Sequence, residues 1–237
     1  DLIYKYLKAG HNQYAPMPGT PALRKAIADV ITKTYQRPTD FETEVTITAG
    51  GTEALFSTIA ALVQKDDEVI VFDPAYDSYN PAIRLNGGVP KHISLNPPYF
   101  VIDWEQVKHT ITPRTRLIII NTPHNPTGSI LREADLKQLE SIVQAHNIIV
   151  LSDEVYERII FDNKSHESVL KYPGLAQQSV AVFSFGKTFH ATGWKVGYAV
   201  ASEHLTREIR KAHQFITFSV NTPVQLALAE YLEIGRA

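Results

Sequence analysis

The sequence contains no cysteine. A disulfide framework, a zinc ribbon, an iron–sulfur site and a cysteine nucleophile are all excluded by that one count. The absence is compatible with a reducing compartment. It also lacks a large charge imbalance: 23 Lys and Arg face 25 Asp and Glu, leaving a formal charge of −2. A broad electrostatic grip on nucleic acid or an anionic membrane has no support in that balance. No run approaches the ~20 apolar residues that span a bilayer. The first residues, DLIYKYLKAGHNQY, have no charged-then-apolar signal pattern. There is no internal repeat, no low-complexity tract and no block of five like charges. The nine His residues show no His–x–His or His–x₃–His spacing, so a metal site finds little footing.

What remains is an ordinary globular composition, 44% hydrophobic and 20% charged over 237 residues. That length suits one large domain or two small ones. The first residue is not Met, the chain starts in what reads as mid-helix, and it stops just after the amphipathic run AEYLEIGRA. A longer parent protein is the expectation.

From about residue 45 two patterns alternate. Short Val/Ile-rich runs occur at Val45–Thr48, Glu68–Phe72, Leu117–Asn121, Ile148–Ser152 and Val180–Ser184. Near-continuous apolar runs of this kind are buried parallel strands. Helical stripes occupy Thr52–Gln64, Arg132–His146 and Glu203–His213. Alternating strands and helices predict an α/β fold with a mainly parallel sheet. Val196–Ala201 follows Phe183 too closely for a helical crossover, so it is expected to run antiparallel or to sit at an edge. Gly and Pro cluster directly after the strands, and ligands of open parallel sheets bind outside the strands' carboxyl ends.

Four of these strand ends carry chemistry. Ser184-Phe185-Gly186-Lys187 places a Lys just past a strand. At the mouth of an apolar crevice such an amine is desolvated, its pKa falls, and it can attack a carbonyl to form a Schiff base. Taken alone, Lys187 reads more simply as a solvated surface Lys. In IIVLSDEVY an acid, Asp153, closes an apolar strand, with Tyr156 three residues later. A buried carboxylate needs a partner; a protonated pyridine nitrogen is one, and an N-cap or metal role is the plainer alternative. Asn121 to Gly128, NTPHNPTG, makes a rigid turn that aims an amide. Gly50-Gly51-Thr52-Glu53 opens a helix whose free N–H groups suit a phosphate. It is neither a Walker A loop nor a GxGxxG fingerprint.

A carbonyl, a ring nitrogen and a phosphate meet in one molecule, pyridoxal 5′-phosphate. The stretches NQYAPMPG, TAGGTEAL, DPAYDSY, NTPHNPTG, SDEVYE, SFGKTFHATGWKVGY and FSVNTPVQLALA strongly resemble the class I, fold type I pyridoxal-phosphate aminotransferases. Within them the chain is most similar to the methionine/kynurenine aminotransferase-like branch. The resemblance covers nearly the whole chain. It implies a seven-stranded, mainly parallel sheet with helices on both faces, residues 1–237 being the cofactor-binding large domain. The family's N-terminal arm and C-terminal small domain have no counterpart in this sequence.

The resemblance also implies roles. Lys187 corresponds to the Schiff-base lysine and proton carrier, and Asp153 to the partner of the ring nitrogen. Tyr156 and Asn125 correspond to the partners of the ring oxygen, and Tyr76 to the aromatic on the ring face. Gly51, Thr52, Ser184 and Lys195 correspond to the phosphate ligands. Many relatives have Arg where Lys195 stands; Lys keeps the charge but not the bidentate fork. Tyr14 corresponds to a tyrosine that reaches the phosphate of a neighbouring subunit, which implies a homodimer with shared sites.

The activity implied is transamination between an amino acid, of methionine or aromatic type, and a 2-oxo acid, in the cytoplasm, with no nucleic-acid or membrane partner. Two alternatives share the same residues: a cofactor-dependent C–S β-lyase, and a cofactor-sensing domain of a transcription regulator. The regulators carry a basic helix-turn-helix segment upstream, and no basic segment precedes residue 11 in this sequence.

Overall fold

The apolar runs become the strands of one sheet in the computed structural model, which describes residues 1–234. The strands are β1 (Val45–Thr48), β2 (Glu68–Asp73), β3 (Val89–Ser94), β4 (Thr115–Asn121), β5 (Ile149–Asp153), β6 (Ser179–Ser184) and β7 (Gly197–Ala201). Between and around them lie α1 (Leu2–Lys8), α2 (Pro21–Tyr35), α3 (Gly50–Leu62), α4 (Tyr79–Leu85), α5 (Trp104–Thr110), α6 (Glu133–His146), α7 (Pro173–Gln177), α8 (Phe185–Thr188), α9 (Glu203–Ile216) and α10 (Thr222–Glu233). The strand order is β1-β7-β6-β5-β4-β2-β3. β2 to β6 are mutually parallel; β7 is antiparallel to both β6 and β1. The antiparallel expectation for Val196–Ala201 therefore holds, but the strand is interior, one in from the edge.

Both faces of the sheet are covered, which is why the central strands read as unbroken apolar runs. Alternate residues point to opposite layers. Ile70, Ile118, Val150 and Ala181 face one core, with α2, α5, α6 and α10; Val71, Ile119, Leu151 and Val182 face the other, with α3, α4 and α9. Each such Val or Ile removed from water contributes about 1.5–3 kcal/mol, so the strand ends that carry the site stand on a rigid base.

β3 escaped the sequence reading. Its residues VPKHIS bury only Ile93, as suits an edge strand with Pro90 and Lys91 on it. The helix expected from Thr52 starts two residues earlier, at Gly50. The helix expected from Glu203 to His213 runs one turn further, to Ile216. The last three residues of the expected domain 1–237 lie outside the described residues.

Two glycines bring backbone together at the site end. A Cβ on Gly197 would lie 2.6 Å from the Phe183 carbonyl oxygen and 2.8 Å from the Gly51 nitrogen. Gly50 has φ +81°, a left-handed turn that lets α3 begin immediately beside β7.

Candidate active site

The carboxyl ends of β4, β5 and β6, with the start of α3, enclose a cavity of about 170 Å³. Nine of the ten residues singled out from the sequence line it: Gly51, Thr52, Tyr76, Asn125, Asp153, Tyr156, Ser184, Lys187 and Lys195. They come from segments more than a hundred residues apart, and strand register gathers them. Asn121 stands beside Asp153 across β4 and β5, and Ser184 opposes Gly197, which also pairs with Thr48.

Asp153 ends β5 fully enclosed, at 3% exposure. Its Oδ2 accepts 2.6 Å from the Tyr79 hydroxyl, and its Oδ1 accepts at 3.3 Å from the Val155 amide. Burial pushes its carboxyl up to about 6, against the opposing pull of those two donors. No cation hydrogen-bonds or ion-pairs with it among the described residues. The N-cap reading fails, since no helix starts at Asp153, and the described residues hold no metal-ligand cluster.

Asn121 organises the turn that follows β4. Its amide nitrogen donates 2.9 Å to the Asp153 carbonyl, and its Oδ1 accepts 2.7 Å from the Asn125 amide. The Asn125 side chain is left facing the cavity. His124, given no role from the sequence, is buried and paired with Thr127 at 2.8 Å. Tyr76 packs edge-on against Tyr79, ring centroids 5.6 Å apart, and its hydroxyl lies 3.5 Å from Thr52 Oγ1.

The two lysines sit at opposite ends of the cavity's chemistry. Lys187, in α8, holds its Nζ 5.4 Å from the centroid of the Tyr156 ring. It is exposed, so the desolvated amine expected from the sequence is not what this chain presents. Lys195 Nζ lies 3.3 Å from where a Cβ on Gly50 would be, at the amino end of α3. Neither lysine forms an ion pair among the described residues.

These observations fit a group with a cationic ring nitrogen at one end and a phosphate at the other. Among the described residues the buried Asp153 carboxylate forms no ion pair, and neither does the Lys195 ammonium beside the amino end of α3. Tyr14 is not in the cavity. It is 80% exposed and rests edge-on against Phe218, centroids 5.5 Å apart.

Tyr79 is the site residue that the sequence reading missed. The only signal was a second Tyr three residues after Tyr76, which looks like core at helical spacing.

A mixed, mainly parallel α/β domain with a lysine, a buried aspartate and a glycine-opened helix start at its strand ends matches the pyridoxal-phosphate-binding enzymes of fold type I. The family model described as "Aminotransferase class I and II" matches residues 5–234, and the chain belongs to that family. Members of this family use pyridoxal phosphate. The methionine aminotransferase of Escherichia coli (strain K12) is 53% identical over 232 residues, 98% of this chain and 60% of that protein. The kynurenine–oxoglutarate transaminase of Dictyostelium discoideum is 35% identical over 251 residues, 98% of this chain and 58% of that protein. Among solved structures, YbdL from Escherichia coli, described as having a methionine aminotransferase function, superposes with a TM-score of 0.96 at 52% identity. That match covers 98% of this chain and 61% of YbdL. The chain thus spans about 60% of the length of these relatives. No helix among the described residues is long and apolar enough to cross a membrane.

Proposed function

We propose that this chain is the cofactor-binding large domain of a pyridoxal-phosphate-dependent aminotransferase acting on methionine or aromatic amino acids with a 2-oxo acid acceptor. One observation carries the reading: a single cavity brings together a buried carboxylate, Asp153, and two lysines, Lys187 and Lys195, none of which forms an ion pair among the described residues. The names of the relatives, a methionine aminotransferase and a kynurenine transaminase, support the donor class.

Pyridoxal phosphate, when bound, supplies a carbonyl for an amino group and a ring that delocalises the electron pair left by the departing α-proton. The residues of this chain would do the rest. Asp153 holds a proton on the ring nitrogen. Tyr156 and Asn125 donate to the ring oxygen, and Tyr76 covers a ring face. The Gly51 and Thr52 amides, Ser184 and Lys195 hold the phosphate. Lys187 would hold the carbonyl end of the group and would supply an amine able to take up and return a proton there. We place the full enzyme in the cytoplasm as a homodimer in which Tyr14 serves the neighbouring subunit's site.

The test is product analysis with the full-length enzyme. A 2-oxo acid formed from methionine only when an amino acceptor is supplied supports the reading. Pyruvate and ammonia from cystathionine, without an acceptor, would replace it with a β-lyase.

A further inference from the structure

Directly after Asp153 comes a second buried acid with no part in the cavity. Glu154 is fully enclosed. Its Oε1 accepts from Ser152 Oγ at 2.8 Å and from the Val169 amide at 3.1 Å. Its Oε2 lies 2.7 Å from His166 Nε2, and the His166 side chain is only 7% exposed. His166 lies near the end of the irregular stretch that begins at Val155 and carries Tyr156, so the pair ties that stretch to the strand end. Two adjacent carboxylates in one dry region repel. The Glu154 charge indeed works to raise the Asp153 pKa.

We propose that His166 is a positioning residue for the cofactor site: its ring, bonded to Glu154, cancels that carboxylate's charge and keeps the neighbouring Asp153 ionised to receive a cationic ring nitrogen. This rests on the reading of Asp153 given above. The groups facing His166 are Glu154, Glu157 and Glu167; those facing Asp153 are Tyr79, Glu154 and Lys187. Burial lowers the His166 pKa, but the Glu154 charge and hydrogen bond prevail, and the imidazole stands above its ordinary value. Its second nitrogen, Nδ1, is buried without a partner. Among the described residues the hydrogen bond to Glu154 is the one that orients the ring.

The test measures binding, not turnover. The probe is pyridoxine 5′-phosphate, which has the ring nitrogen and phosphate but no aldehyde for Lys187. Its affinity for the cofactor-free full-length protein is followed from pH 5 to 8.5. The wild-type midpoint is expected near the Asp153 value of about 6. His166→Gln should move it up by about one pH unit, weakening binding several-fold near pH 6.5 while leaving it unchanged at pH 8.5. Glu154→Gln/His166→Gln, which removes both charges, should restore the wild-type midpoint. An unmoved midpoint in the single variant, or a loss uniform in pH that the double variant does not repair, overturns the proposal. If His166→Gln does not fold, Glu154→Gln alone decides: its midpoint must lie at or below wild type, and a rise overturns the idea. Asp153→Asn separates the two claims. If it keeps the wild-type midpoint, the reading of Asp153 itself is wrong.

Discussion

The Tyr79 hydroxyl donates a 2.6 Å hydrogen bond to Oδ2 of Asp153 from outside the cavity. The tyrosine is buried, and its own pKa is raised well above the ordinary value, first by burial and then by the Asp153 charge. It therefore stays a donor throughout the working pH range and stabilises the ionised aspartate. A hydrogen bond to a charged group contributes about 1.5–3 kcal/mol. Tyr79→Phe keeps the ring packing and removes only this donor. The Asp153 carboxyl should then titrate about one to two pH units higher, read from its ¹³C resonance in the cofactor-free enzyme. A midpoint equal to wild type would show that the bond does not favour the carboxylate.

Burial of the Asp153 carboxylate costs the fold stability. Its native pKa of about 6 lies above the ordinary 3.8. Between those values the native state binds more protons than the unfolded chain, so stability falls as pH rises through that window. The full penalty, on the order of 3 kcal/mol, is present above pH 6. Asp153→Asn removes the charge and keeps an acceptor for Tyr79. The cofactor-free variant should unfold at higher denaturant than wild type at pH 8 and lose this advantage at pH 4. Its turnover should fall by orders of magnitude, because a neutral amide cannot hold the ring proton. Equal stability at pH 8 would mean that the carboxylate is not desolvated.

Lys187 and Lys195 both line the cavity, neither with an ion pair among the described residues, and their assigned roles make opposite predictions. Borohydride reduction of the loaded full-length enzyme should fix the cofactor to the peptide containing Lys187, and Lys187→Ala should abolish the adduct. Lys195→Ala should leave the adduct on Lys187 but weaken cofactor affinity by about one to two decades, the worth of one charged hydrogen bond. Peptide mass mapping distinguishes them, and an adduct on Lys195 would reverse the assignment.

How much was legible in the sequence depended on where each contact lies along the chain. β4 and β5 were readable because both faces are buried, whereas β3 buries only Ile93 and carries no such pattern. Asp153 closes a strand, and Lys187 and the Gly50-Gly51 turn follow one within a few residues, so local order marked them. Tyr79 did not stand out because its partner is 74 residues away. His166 meets Glu154 through a loop of no regular pattern. The exposure of Lys187 was also illegible: desolvation depends on what packs over the cavity, and neighbouring sequence does not state it.

Tyr14 offers the sharpest test of the shared site. Its backbone is pinned: the Gln13 carbonyl accepts 2.7 Å from Thr222 Oγ1, and the Ala15 carbonyl accepts 3.0 Å from Ser219 Oγ. Tyr14 is nonetheless 80% exposed, its ring resting edge-on against Phe218. A hydroxyl given to a phosphate across a two-fold axis would explain an aromatic held outward, and symmetry would return the contact. Tyr14→Phe should weaken cofactor binding by about one to two decades without altering the fold. Mixed dimers of Tyr14→Phe and Lys187→Ala subunits test the sharing. In such a dimer the one site that retains Lys187 receives the intact Tyr14 of the other subunit, so its cofactor affinity should equal wild type. If that site instead keeps the weakened affinity of the Tyr14→Phe homodimer, Tyr14 acts within its own chain and the shared-site reading is wrong.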